Sequence, residues 1–146
     1  MRKPIPSEPD SPAWSDAVQV TVHAMDQIDP AAGTWLPSPL ESIAIVSRLH
    51  RPGLLVVKMD NTSMEPVIRR GAYVGIDAQD RALGDGRIQA LDIDREGLIL
   101  RRVVSEQSGK ILLLQAENAA YPVQRHPGGA ATLRVLGTVV WVIQEI

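Results

Sequence analysis

Hydrophobic residues fall in short stretches along this chain, and where they alternate with polar positions at a period of two the spacing is that of a strand with one buried face. Val18-Gln19-Val20-Thr21-Val22 is the clearest case, and the turn-rich loop Asp29-Pro30-Ala31-Ala32-Gly33-Thr34 follows it. Ser38-Pro39-Leu40-Glu41 has the Ser-x-x-Glu spacing of a capping box, with proline at the first helical position. That spacing predicts a short helix from Leu40 to about Leu49, whereas the β-branched run Ile43-Ala44-Ile45-Val46 suits a strand. Leu54 to Met59 and Tyr73 to Asp77 read as strands, separated by Asn61-Thr62-Ser63-Met64-Glu65-Pro66 and the turn Arg69-Arg70-Gly71. After the turn Leu83-Gly84-Asp85-Gly86, Arg87 to Ile93 and Leu98 to Val104 form a hairpin around Asp94-Arg95-Glu96-Gly97. Ile111 to Gln115 is a further strand, Ala116 to Ala131 reads as irregular, and Leu133 to Ile143 is a long final strand. Short strands joined by Gly, Pro and Asp turns, with at most two helical turns, predict a mainly β domain of coiled or barrel-like sheets.

Composition narrows this picture. With 146 residues, 45% hydrophobic and 22% charged, the chain suits one globular domain. Residues 1–17 read as a flexible Pro-rich arm or linker, with prolines at 4, 6, 9 and 12 and no apolar core of a signal peptide, and 18–146 as the domain. The net charge is −2, and no apolar stretch approaches the roughly 20 residues that span a bilayer, so no membrane partner is expected. There is no cysteine, and His23, His50 and His126 lack ligand spacing, so no metal and no other cofactor is expected and a cytoplasmic location is the default. Lysine occurs only at Lys3, Lys58 and Lys110.

Within this frame Ser63 stands out. A serine leaving a strand, with proline three residues on, opens a short turn or helix where a nucleophile can be exposed; the alternative is a plain N-cap. Met64 is expected to pack beneath that turn and Pro66 to fix its backbone. Asp92 and Asp94 read as hairpin charge. Arg69-Arg70 and Arg101-Arg102 read as a solvated face, since the overall balance is acidic and few aromatics interleave them. No pair of adjacent helices suggests a helix-turn-helix.

A set of short motifs then agrees in order and spacing. Ser63-Met64-Glu65-Pro66, Gly71, Asp77, Gly86-Arg87-Ile88, Leu100-Arg101-Arg102-Val103, Glu117-Asn118 with Tyr121-Pro122, and Gly137-Thr138-Val139-Val140-Trp141 together resemble the LexA and phage-repressor family of self-cleaving serine peptidases. The resemblance covers residues 54–143 and implies a LexA/signal-peptidase-like fold of coiled β-sheets. It implies a serine–lysine dyad that cuts the chain's own Ala-Gly or Cys-Gly bond. On this resemblance Ser63 falls at the nucleophile, its N–H contributes to an oxyanion hole, Ala32-Gly33 matches the cleavage bond, and Met64, Pro66 and Asp77 are supporting positions.

The sequence departs from the family at three places. Arg101 stands at the position of the lysine base, Asn61-Thr62 replaces the usual Gly-Asp before the serine, and Gly71-Ala72 replaces the one after it. A desolvated lysine can become neutral and take the serine's proton, whereas a guanidinium offers only donors. An inactive site is therefore expected. The leading functional expectation is the C-terminal regulatory and dimerisation domain of a phage-type transcriptional repressor. The alternatives are an active self-peptidase cutting Ala32-Gly33 in the SOS response, with Lys58 or Lys110 as base, and an accessory subunit of an error-prone DNA polymerase. The partners implied are a second copy of the chain through the C-terminal strands, a RecA-type filament, and operator DNA through a domain absent from this chain.

Overall fold

The computed structural model describes residues 16–84, 86–128 and 133–146; residues 1–15 of the expected arm lie outside them. Nine strands occur among these residues: β1 (Ala17–His23), β2 (Pro39–Val46), β3 (Leu54–Lys58), β4 (Tyr73–Asp77), β5 (Arg87–Ile93), β6 (Gly97–Glu106), β7 (Ile111–Gln115), β8 (Gln124–Pro127) and β9 (Leu133–Ile143). They form one mixed sheet in the order β2-β1-β3-β4-β9-β5-β6-β7-β8, parallel only at β1–β3. The mainly β architecture agrees with the sequence reading, and β4, β5, β7 and β9 have the expected bounds.

Strand β9 joins two half-sheets. Its first part, Leu133 to Thr138, pairs with β5, and its second, Thr138 to Ile143, pairs with β4, with a register shift on each side. Gly137 sits at this crossing, where an added Cβ would meet the Asp77 carbonyl at 2.4 Å, so only glycine lets the two backbones approach. The Trp141 ring covers Gly75 in the same way, and its indole N–H donates to the Leu49 carbonyl.

Two expectations about local structure are corrected. The segment after Ser38 is strand β2, paired with β1 from Ala17↔Val46 to His23↔Pro39, followed by a single 3-10 turn at Ser47–Leu49. The β-branched residues win because β1 offers them a full ladder, whereas a short helix has to overcome its nucleation cost. The irregular stretch after Ala116 contains the four-residue edge strand β8, paired with β7; its Pro127 is tolerated at a sheet edge.

The buried apolar residues fall into two clusters. One gathers Met25, Trp35, Met59, Met64, Ile68 and Leu100 beneath the Ser63 turn, and the other gathers Leu91, Ile93, Val103, Leu112 and Leu114 on the β5–β7 side. Strand β5 contributes Ala90 to the first and Leu91 to the second, so it is buried on both faces, and Asp92 is buried with it.

Candidate functional site

Beyond Lys58 the chain stays tied to its neighbour: Met59 N–H donates to Ala72 O and Gly71 N–H to Met59 O, both at 2.8 Å. Between these ties, residues 61–68 turn rather than coil into the expected helix. Glu65 N–H reaches Thr62 O at 3.2 Å and Ile68 N–H reaches Met64 O at 2.9 Å. Pro66 contributes no donor to continue a ladder. Met64 and Ile68 are fully buried and hold the turn to the core, as expected for Met64, while Pro66 is exposed.

Ser63 itself is only 1% exposed. Arg101, on β6, donates from Nη1 to Ser63 Oγ at 3.0 Å and to its neighbour's carbonyl, Leu100 O, at 2.7 Å. The structure thus brings together the two residues singled out for the dyad positions. Burial lowers the Arg101 pKa from its ordinary value, opposed by the through-space influence of Glu96 and Tyr121. The Arg101 Cζ lies 5.8 Å from the centroid of the Tyr121 ring, within cation–π range.

The backbone donor of Ser63 is also engaged. Its N–H is taken by Asn61 Oδ1 at 3.0 Å, so in this geometry it does not point to an open oxyanion position, contrary to the expectation. The reason is the departure already visible in the sequence: asparagine has the side-chain acceptor that glycine lacks, and Asx residues readily bond the N–H two positions on.

The segment after β7 clamps this turn from the other side. Asn118 N–H donates to Ser63 O and Asn118 Nδ2 to Thr62 O, each at 3.0 Å, and the hydroxyls of Tyr121 and Thr62 are 3.1 Å apart. Glu117 is held by an ion pair with Arg102, which also bonds the Gly86 carbonyl. Arg102 is therefore a structural clasp rather than part of a solvated face. Asn118 and Tyr121 had no role in the sequence reading beyond the motif they belong to; Asn61 was visible there only as a departure.

The loop carrying Ala32-Gly33 is fastened elsewhere. Gly33 has φ +74° and is buried; its N–H donates to Asp29 O at 2.7 Å and its carbonyl accepts from Arg95 N–H at 2.8 Å. Asp29 Oδ1 takes the N–H groups of Ala31 and Ala32. Asp92 is not hairpin charge at the surface: 3% exposed, it accepts the Trp35 N–H at 3.0 Å through one oxygen and pairs with Arg134 through the other. Leu98 N–H reaches Met25 O at 2.9 Å, so the loop is docked on the β5–β6 turn. Among the described residues no hydrogen bond joins the Ala32-Gly33 loop to the Ser63 turn.

Nor does the structure bring the remaining candidates to Ser63. Asp77 is at the far end of β4, pairing with Arg51 at 3.1 Å and capping the Gln79 N–H. Lys58 pairs with Glu41 at 3.3 Å, and the Glu41 pKa is lowered first by the hydrogen bond that Tyr73 donates to its carboxylate and then by the one from Lys58. Lys110 sits at the β6–β7 turn, with β7 leading from there back toward Arg102. Among the described residues no group of three His, Cys, Asp or Glu side chains is placed to hold a metal ion, and no helix is long and apolar enough to cross a membrane.

A β domain with a serine turn clamped against a basic residue on a neighbouring strand is the arrangement of a serine-peptidase-like fold. The family model described as Peptidase S24-like matches residues 20–140, and the chain belongs to that family, the LexA and phage-repressor type of self-cleaving serine peptidases. No curated protein matches the chain.

Chemically, the site is a buried serine whose oxygen accepts from a guanidinium. Arginine presents donors alone and stays protonated at physiological pH, so it cannot take the proton that a nucleophilic serine must lose.

Proposed function

We propose that this chain is the regulatory and dimerisation domain of a phage-type transcriptional repressor, with the fold of a self-cleaving peptidase and no self-cleavage. The observation that carries this reading is the Arg101 Nη1–H donated to Ser63 Oγ at 3.0 Å, a donor where catalysis needs an acceptor. The engaged Ser63 N–H and the docked Ala32-Gly33 loop support it. With cleavage absent, what the domain offers is a surface. The second half of β9, Val139 to Ile143, pairs with β4 on one side, while its pairing with β5 stops at Thr138. Val140 and Ile143 are exposed on this strand, and Val67 is exposed beside the Gln144 that bonds its carbonyl.

An apolar strand with one open edge invites a second copy, and two-fold pairing is the commonest solution. Operator DNA is then read by a domain outside this chain, and a RecA-type filament is the proposed inducing partner. Sedimentation at concentrations on the order of tens of micromolar tests the dimer. The chain is expected to sediment as a dimer and Ile143→Asp as a monomer. A monomeric unmodified chain would remove the dimerisation reading.

A further inference from the structure

The end of β3 carries backbone groups that the sheet does not use. Met59 turns both its N–H and its C=O toward the β4 side, bonding Ala72 O and Gly71 N–H at 2.8 Å. Backbone groups alternate sides along an extended chain, so the Lys58 C=O and the Asp60 N–H face the other way. On that side the parallel ladder with β1 has already ended at His23↔Val57, and the Ala24 N–H bonds Ser38 O instead. Among the described residues neither group has a backbone partner. A short open edge thus stands next to a space that β1 does not fill.

That space is a cleft of about 330 Å³. It is lined by the buried Met25 and Met59 and by Leu40, which is 55% exposed; Ser63 and Arg101 take no part in it. Unbranched thioether side chains adapt to apolar partners of varied shape. A second cleft, of about 630 Å³, meets the first at Lys58, Arg70 and Gly71 and adds Arg69. The charges along this groove are of two kinds. Asp26 and Asp60 accept from the side-chain amides of Gln27 and Asn61, and Lys58 pairs with Glu41. The backbone N–H groups of Arg69 and Arg70 are pinned by the side chains of Gln144 and Glu65, at 2.8 and 3.1 Å. Their guanidinium groups pair with no carboxylate among the described residues, Glu145 of the same cleft included.

We propose that this groove takes up an extended peptide segment of a partner protein, which adds to the open edge through Lys58 C=O and Asp60 N–H, seats an apolar side chain against Met25 and Met59, and brings a carboxylate to Arg70 and Arg69. Residues two apart share one face of an extended chain, so an apolar residue followed two positions on by an acid fits both clefts. Main-chain bonds then supply affinity and the side-chain pockets supply specificity, as in strand addition generally. A run of phosphates suits the groove less well, because Asp26 and Asp60 line its apolar end. The inference goes beyond the proposed function and needs neither the dimer nor an inert Ser63.

The test is a titration of the full chain, carbon-13 labelled at its methionine methyl groups, with the capped peptide acetyl-Val-Leu-Ser-Glu-Val-amide up to about 5 mM. Single Met→Leu replacements assign the signals. Those of Met25 and Met59 are expected to shift, while that of Met64, buried under the serine turn and outside both clefts, stays in place. Glutamine in place of the peptide's glutamate is expected to weaken binding several-fold. Arg70→Gln, an exposed position, is expected to bring the glutamate peptide down to the same level and to leave the glutamine peptide unaffected. A peptide N-methylated at its leucine and serine, unable to donate to Lys58 C=O, is expected to lose binding. No shift at the highest concentration, Met64 moving with the other two, or equal response to the glutamate and glutamine peptides would overturn the proposal. So would an oligothymidylate that shifts Met25 and Met59 more strongly than the peptide, since the groove would then favour nucleic acid.

Discussion

Ser63 and the Ala32-Gly33 bond belong to one domain, yet they are held by different kinds of contact. The Ser63 turn is fixed mainly by side chains that converge on it: Asn61 on its N–H, Arg101 on its hydroxyl, Asn118 and Tyr121 on Thr62 beside it. The Gly33 loop is fixed mainly by backbone, through Asp29, Thr34 and Arg95, with Asp92 as a deeply buried side-chain anchor. Side-chain contacts can be exchanged one residue at a time without moving the chain. Backbone contacts respond only when the whole loop lifts. The serine and the bond that the family resemblance would have it cut are therefore restrained separately, one chemically and one by position.

Substitutions that separate the two regions rank by how much burial they disturb. Met64→Ala empties a fully buried site under the serine turn and is expected to cost about 3–4 kcal/mol. Denaturant unfolding reads the loss, and a cost below about 1 kcal/mol would mean that the turn is not seated on the core as described. Asp92→Ala strips the acceptor from the buried Trp35 N–H and is expected to cost about 2–3 kcal/mol. It is also expected to speed cutting of residues 29–34 by an added protease, whereas Met64→Ala speeds cutting near Ser63 first. Equal sensitivity of the two segments in both variants would show that the regions are not independently restrained.

Acid provides a milder probe of the loop side. His23 stands edge-on to the Trp35 ring at 6.4 Å, with a buried Nδ1 that has no partner, and desolvation lowers its pKa. The unfolded chain therefore binds a proton near the ordinary histidine value of about 6.5 that the folded chain resists. Its contribution is fully present above that pH and lost as pH falls below it. Thermal unfolding of the unmodified chain is expected to show this decline, and His23→Gln to flatten it; an identical slope in the variant would count against His23. Smallest of all is Asn61→Gly, which frees the Ser63 N–H at a cost of a few tenths of a kcal/mol. It is expected to leave the Arg101 contact in place, which nitrogen-15 shifts of Arg101 would reveal.

The sequence made the strands legible where apolar and polar residues alternate or where turn residues bracket an apolar run, as at Tyr73–Asp77 and Arg87–Ile93. It misled at Ser38-Pro39-Leu40-Glu41, because a capping box is a local signal and the pairing of β2 with β1 is not. The nearness of Ser63 and Arg101, 38 positions apart in the chain, was accessible only through the family resemblance, since period and composition carry no information about which strands adjoin. At Asp92 the sequence suggests hairpin charge because a hairpin strand usually has one solvated face, and β5 has none. The Asn61 bond to Ser63 required a side-chain direction that a sequence does not contain.

Whether Arg101 disarms Ser63 is tested most directly by intact-mass measurement of the chain held for days at about pH 10, where a lysine base begins to deprotonate and an arginine does not. The chain is expected to keep its full mass, identical to that of Ser63→Ala. Fragments ending at Ala32 and beginning at Gly33, present in the unmodified chain and missing from Ser63→Ala, would contradict the account and identify a base other than Arg101.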